Sequence, residues 1–385
     1  MKSHLSTTWI FWLLVVVVVV VRNVSSFSSR TKNFVPIIAC KSTSEVCKAI
    51  DVYVKSDDRV LELGAQLSDI STHICQTVGP AGSAVLVDVK RKDATSGRSK
   101  GRDTTPFLVT SPESENNKSE DFVDRVEYHE LDKFDQWREL TKDNQSYQVL
   151  VLDAGSMIGG DLYLSALSLA YEFIGNQQHL PRAIIVKSKV LNTLSRRIVH
   201  SQRLLDGTIT LPKKDELDKF PSPIIVPCVG VNDYRKTIPI LLEKGDEVIE
   251  IGSHYGSTTT ILHDTVIDGD VAGFAIGVDI GEKIIAAAKK RYPHVQFEVA
   301  DAWDTLKLLK LKAHRGTSLG YDAVYADIGG LSGAHGLLES LALIDAIGRA
   351  LEPRTIVIKS LCMKRLAAQL IPCSSVKSRT RQNAK

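Results

Sequence analysis

The string PRAIIVKS occupies residues 181–188, and PRTIVIKS occupies 353–360. Each reads Pro-Arg, then an apolar run, then Lys-Ser. The flanks repeat as well. VLELGA (60–65) and VIEIGS (248–253) are apolar runs that carry a Glu and close on Gly. That pattern predicts a buried parallel strand leading into a tight turn. AVLVDV, with Asp88, corresponds to AIGVDI, with Asp279. VEYHELDKFD and VQFEVADAWD set Asp132 opposite Asp301 and Phe134 opposite Trp303. YQVLVLDAG and YDAVYADIG set Asp153 opposite Asp327, and the Pro-Arg strands set Lys187 opposite Lys359. Five landmarks recurring in one order predict an internally duplicated α/β chain.

The spacing differs mainly in one place. Asp88 to Asp132 is 44 positions (132 − 88), whereas Asp279 to Asp301 is 22 (301 − 279). The extra length, residues 91–121, is polar and rich in Gly, Ser and Lys, which predicts a surface loop inserted in the first copy. Strands alternating with helices predict two tandem Rossmann-like, doubly wound parallel-sheet domains. The expected organisation is a leader over 1–34, a first domain over 35–205, a linker over 206–223, a second domain over 224–373 and a basic tail over 374–385. In such sheets ligands bind beyond the carboxyl ends of the strands, and the repeated acids and lysines all fall there.

The leader begins with Lys2 and continues with thirteen apolar residues, Trp9–Val21. That run is short for a bilayer span and suits a signal-peptide core. Small residues at Val24-Ser25-Ser26 offer a cleavage site, and a Ser-rich, basic, acid-free stretch follows Phe27. The order resembles the bipartite leader of algae with complex plastids, which implies entry to the secretory pathway and a plastid destination. A plain secretory signal and an uncleaved signal anchor are the alternatives. Once the leader is removed, no stable membrane association is expected.

A net charge of +3 demands no polyanionic partner, although no Asp or Glu occurs before Glu45 or after Glu352. The six cysteines show neither a C-x-x-C pair nor a His at metal spacing, so neither a zinc site nor a disulfide framework is expected.

The order of motifs resembles class I S-adenosylmethionine-dependent methyltransferases over residues 45–200 and 234–370. The second copy matches better, with VIEIGSHYGSTT and GVDIGEKIIAAAKKRYPHVQFEVADAWD. The resemblance implies S-adenosyl-L-methionine as cofactor. Glu250, Gly252 and Gly256 would belong to its first motif, Asp279 would accept from the ribose hydroxyls, and Asp301 from the adenine amino group. Trp303 or Ala302 would pack near the ring. In the first copy Gly64, Asp88 and Asp132 correspond, but AQLSDIS follows without the later glycines. The fourth strands lack the Asp/Asn-Pro-Pro-aromatic signature used on planar amino groups. Lys187 and Lys359 stand where metal-dependent O-methyltransferases carry ligands, so no catalytic metal is expected.

Lysines at that place, with VLELGAQLSDISTHICQTVGPAGSAVLVDVKRK, are similar to fibrillarin-like RNA ribose 2′-O-methyltransferases. That resemblance implies RNA as acceptor, with Asp327 between Lys359 and Lys236 as the catalytic group. A Lys pKa moves readily on burial, so one neutral amine would take the hydroxyl proton. A purely electrostatic role for the two cations is the alternative. So are a small-molecule O-methyltransferase and a non-catalytic scaffold that inherited the fold. The final catalytic Glu of the family has no counterpart in the second copy.

If the leader is a cleaved signal, mass spectrometry of the endogenous N-terminus finds a start beyond residue 26. An intact Met1 in a membrane fraction identifies a signal anchor instead.

Overall fold

A computed structural model describes residues 34–65, 68–89, 125–131, 134–141, 146–153, 163–176, 179–210, 223–267, 273–312, 320–329, 331, 333 and 336–376. The leader, the 91–121 insertion, most of the linker and most of the basic tail lie outside them. No helix among the described residues is long and apolar enough to cross a membrane.

In chain order the first sheet is built from β1 (Ile37–Cys40), α1 (Thr43–Tyr53), β2 (Arg59–Leu63), α2 (Asp69–Thr77), β3 (Ser83–Val89), β4 (Val126–Leu131), β5 (Val149–Leu152), α3 (Tyr163–Asn176) and β6 (Ala183–Lys187). The chain continues through α4 (Lys189–Leu205), β7 (Ile224–Cys228), α5 (Val231–Lys236), α6 (Ile238–Leu241), β8 (Glu247–Ile251), α7 (Ser257–Val266), β9 (Phe274–Asp279), α8 (Glu282–Arg291) and β10 (Gln296–Val299). It ends with α9 (Thr305–Lys310), β11 (Ala323–Ala326), α10 (Gly336–Leu351), β12 (Thr355–Lys359), α11 (Leu361–Gln369) and β13 (Leu370–Pro372).

The first sheet has the order β13-β1-β6-β5-β2-β3-β4, and the second has β10-β9-β8-β11-β12-β7. Strands β1 to β6 pair in parallel, as do β7 to β12. Read from β4 to β1, the first order equals the second read from β10 to β7. Both are Rossmann-like α/β sheets, and in each the strand order reverses beside the strand that ends in Gly. The inner strands are buried, throughout in β5 and β11 and up to the final Lys187 in β6. Their near-continuous Val, Ile and Ala runs are what a sheet covered on both faces requires.

The chain separates into two compact units. Two segments cross the boundaries expected from sequence. The unit built on the second sheet starts at Thr193, within α4, because Leu204 and Leu205 join the core of Val226, Tyr234 and Val248. The unit built on the first sheet regains the chain from Ile371. There Cys373 and Val376 are buried among Cys40, Val46 and Ile50, and the Cys373 thiol donates to the Glu45 carbonyl at 3.3 Å.

The repeated Pro-Arg has a structural reason in both units. Arg182 donates to Asp58 at 2.5 and 2.7 Å and to the Tyr53 carbonyl at 2.7 Å. Arg354 pairs with Asp246 and donates to the Leu241 carbonyl at 3.4 Å. In each case an arginine entering the fifth strand of the motif fixes the loop that enters the first. Arg354 and Asp246 are both 3% exposed, whereas Arg182 is 33% exposed. Removing one partner of a buried pair strands the other charge away from water, at about 3–5 kcal/mol. Arg354→Ala therefore lowers the unfolding midpoint, measured by circular dichroism, by more than Arg182→Ala, because removing the one-third exposed Arg182 opens a path for water to the buried Asp58.

Candidate functional site

The site begins where β8 ends. Gly252 has φ +83°, and a Cβ there would lie 2.1 Å from the Asp327 carbonyl oxygen. No L side chain fits that position. The Gly252 and Ser253 amides both donate to the Val278 carbonyl, at 2.8 and 3.0 Å, which folds the turn over the end of β9. Gly256, φ +80°, caps α7, and a Cβ on it would lie 2.4 Å from the Phe297 ring. Both glycines that the sequence singled out are thus required, one by the Asp327 carbonyl and one by the Phe297 ring, and the turn they bound at the strand end is the candidate cradle.

Asp279 closes β9 and holds this turn. Its Oδ2 accepts from the His254 amide at 3.1 Å and its Oδ1 from the Gly281 amide at 3.0 Å. Asp301 follows the neighbouring strand β10, where its Oδ1 accepts from the Trp303 amide at 2.9 Å. The register aligns Val299 with Asp279, so the two acids stand on adjacent strand tips. Apolar side chains are exposed around them: Ile280 at 72%, Trp303 at 53% and Tyr255 at 45%. Large apolar groups rarely stay wet in a patch without a partner to cover them.

Across the turn, the Lys359 ammonium donates to Asp327 Oδ2 at 2.5 Å, with both side chains part-exposed. Lys187 and Asp153 form the same pair at 2.8 Å in the first unit. The fold therefore joins two of the three expected catalytic groups. Lys236 is exposed on the last turn of α5. Its neighbour Arg235 reaches inward and donates to the Thr258 hydroxyl at 3.0 Å.

Glu250 stands behind the turn rather than in the cradle. It is 2% exposed and accepts from the Thr259 hydroxyl. Burial, reinforced by the nearby Asp327 charge, pushes its pKa up to about 8. Glu62 is its counterpart in the first unit, also pushed up to about 8 by burial. Each unit thus carries a carboxyl that is neutral at pH 7 beneath its glycine turn.

The first unit keeps the start of the same turn. Gly64 has φ +89°, and Gly64 and Ala65 amides donate to the Val87 carbonyl at 2.8 and 3.1 Å. Ser68 then caps α2 where the second unit has Gly256 capping α7. Asp88 is half-buried at the end of β3, and Asp132 lies outside the described residues. Sequence reasoning missed the roles of His254, Thr259 and Phe297. Only Phe297, an aromatic two residues into the acid-bearing strand pattern, left a readable signal.

No protein family model and no curated protein matches the chain. Among solved structures, a TehB-like SAM-dependent methyltransferase from Corynebacterium glutamicum is 18% identical, covers 32% of this chain and 60% of its own, and superposes with TM-score 0.24. The sugar N-methyltransferase KedS8 from a Streptoalloteichus species is 19% identical over 32% of this chain and 44% of its own, with TM-score 0.24. Aeropyrum pernix fibrillarin, in complex with natively bound S-adenosyl-L-methionine, is 17% identical over 26% and 41%, with TM-score 0.19. The chain thus spans about half the length of these structures.

The buried acids make stability depend on pH. The folded chain keeps a proton on Glu250 that the unfolded chain releases, so stability falls as pH rises from the ordinary carboxylate range through about 8. Glu250→Gln supplies a permanently neutral acceptor for Thr259. Its urea midpoint exceeds wild type above about pH 8, and the fall between the ordinary carboxylate range and about pH 8 is shallower. Equal slopes in the two proteins would place the charge change elsewhere.

Proposed function

We propose that the second unit is an S-adenosylmethionine-dependent methyltransferase of class I. The observation that carries this reading is the cradle itself: a Gly252–Gly256 turn with no room for side chains, flanked by Asp279 and Asp301 on adjacent strand tips. In this reading the methionine part of the cofactor lies over the glycine turn, which the backbone of Gly252 and Gly256 lets it approach. Asp279 then accepts from the ribose hydroxyls and Asp301 from the adenine amino group. Ile280 and Trp303, exposed in the free protein, supply apolar faces for the ring. The bound cofactor would supply an electrophilic methyl group on a sulfonium.

The acceptor we infer is a ribose hydroxyl of RNA. Lys359, fixed by Asp327 at the cradle rim, presents a cation where a phosphate-bearing acceptor would enter. Asp327 orients that amine and stands beside the glycine turn, so the pair is the candidate for guiding the acceptor hydroxyl and its proton. A small-molecule acceptor would use the same pair. The inherited-scaffold reading has one observation in its favour. Both Asp279 oxygens already accept backbone amides, so the acid also has a purely structural use.

Titration calorimetry with S-adenosylhomocysteine on the full chain separates these readings. Charge-assisted hydrogen bonds contribute about 1.5–3 kcal/mol each, and about 1.4 kcal/mol is one decade of affinity. Asp279→Ala therefore weakens binding at least tenfold, and Asp88→Ala does less because the first unit lacks the second glycine. Absence of binding by the wild type at millimolar ligand hands the chain to the scaffold reading. Loss through Asp88→Ala alone moves the cofactor to the first unit.

A further inference from the structure

Away from the cradle, the fold brings His294 to the adjacent pair His263 and Asp264, three metal-ligating side chains from two separate segments. His263 and Asp264 sit in the last turns of α7, and His294 sits in the turn between α8 and β10. Their ligand atoms all lie within 4.8 Å of one another. His263 Nδ1 and Asp264 Oδ1 are 3.3 Å apart. The His263 and His294 rings meet edge to face with centroids 5.4 Å apart, and His294 is backed by Tyr292 at 6.4 Å. We propose that His263, Asp264 and His294 form a binding site for a divalent transition ion of the zinc type, which ties α7 to the entrance of β10.

The chemistry of the set favours that class of ion. Two imidazoles and one carboxylate suit zinc, nickel or copper better than calcium or magnesium, which prefer all-oxygen shells. Zinc holds nitrogen and oxygen ligands at about 2.0–2.2 Å, which puts neighbouring ligand atoms roughly 3.4 Å apart. From separations of up to 4.8 Å the group needs a closure of at most about 1.4 Å to reach that spacing. Asp264, 65% exposed, is free to supply that movement, while His263 is held at 17% exposure. Water would complete the coordination. The ordinary alternative is a surface His–Asp pair with a second histidine nearby. Against it stands the convergence of two imidazoles from separate elements on one carboxylate.

The position gives the site a purpose distinct from the cradle. Helix α7 starts at the Gly256 cap on the carboxyl side of the sheet and runs back, so its last turns lie at the opposite edge. Strand β10 is the outermost strand and leads directly to Asp301. An ion at this edge would clamp the far ends of the two elements whose near ends carry Gly256 and Asp301. Between them, Phe297 packs against Gly256. Sequence spacing led to no expectation of a metal, since Asp264 and His294 are 30 positions apart (294 − 264) and no cysteine is involved.

The test uses the full chain, stripped with a chelator and titrated with zinc chloride against a chromophoric competitor. Cobalt(II) absorption reports the ligand field. The expected result is about one zinc per chain with micromolar or tighter affinity, and a thermal midpoint that rises with zinc. His294→Ala weakens zinc binding at least tenfold and removes the zinc-dependent rise in midpoint. Asp264→Asn, isosteric and on an exposed side chain, weakens it several-fold without changing the metal-free melt, and covers the case in which His294→Ala fails to fold. His129→Ala, in the other unit, leaves zinc affinity unchanged. Zinc binding that is absent in the wild type overturns the proposal. So does binding that is equal in wild type and Asp264→Asn, or that is lost with His129→Ala. None of these readouts involves S-adenosylhomocysteine, so this proposal and the methyltransferase reading fail independently.

Discussion

The contact between Gly252 and the Asp327 carbonyl sets the geometry of everything around it. A strand that ends in a left-handed residue can turn at once across its neighbour, and here it does so with no space for a Cβ. The turn brings the His254 amide onto Asp279 and places Gly256 against Phe297. It also fixes the backbone of Asp327, whose side chain then meets Lys359. Cradle, Asp279 and strand-end ion pair are therefore one mechanical unit. A side chain at position 252 would displace all three together.

Charge is placed in three different environments, each with its own consequence. At the strand entrances Arg354–Asp246 and Arg182–Asp58 brace loops, and at least the first pair is shut off from water. Beneath the turns Glu250 and Glu62 are buried and held neutral at pH 7. At the strand exits Lys359–Asp327 is part-exposed, Lys187 is part-exposed over a buried Asp153, and Asp279 and Asp301 also reach solvent. Function belongs to the exit layer, because a group sealed in the core can tune its neighbours but cannot touch a ligand.

The two units share several contacts and diverge after the first glycine of the turn. Ser188 and Ser360 each follow the strand-end lysine, and their hydroxyls accept from the amides of Leu191 and Met363. Both units also share the Gly amide bonded to the second strand. They part after that glycine. The second unit caps α7 with a left-handed glycine, while the first caps α2 with Ser68, which accepts from the Ile70 amide. A serine cap satisfies the helix end from within the chain. A glycine cap leaves backbone amides open to a ligand, which is why the proposed activity is assigned to the second unit.

The sequence by itself determined the strands, their order along the chain and the Gly and Asp residues at the strand ends, because period, turn chemistry and charged strand ends are local properties. VIEIGSHYG states a buried strand and a turn through its own composition. So does the recurrence of Pro-Arg and Lys-Ser, although the arginine's task became visible only once Asp58 and Asp246 lay beside it. Tertiary structure alone decided which charges are paired and which are buried. It turned Glu250 away from the cradle toward Thr259, joined Lys359 rather than Lys236 to Asp327, and carried Cys373 back to Cys40. It also brought His294 to His263. Each of these depends on distances between segments remote in sequence, and those distances are fixed by packing between elements rather than by residues next to one another along the chain.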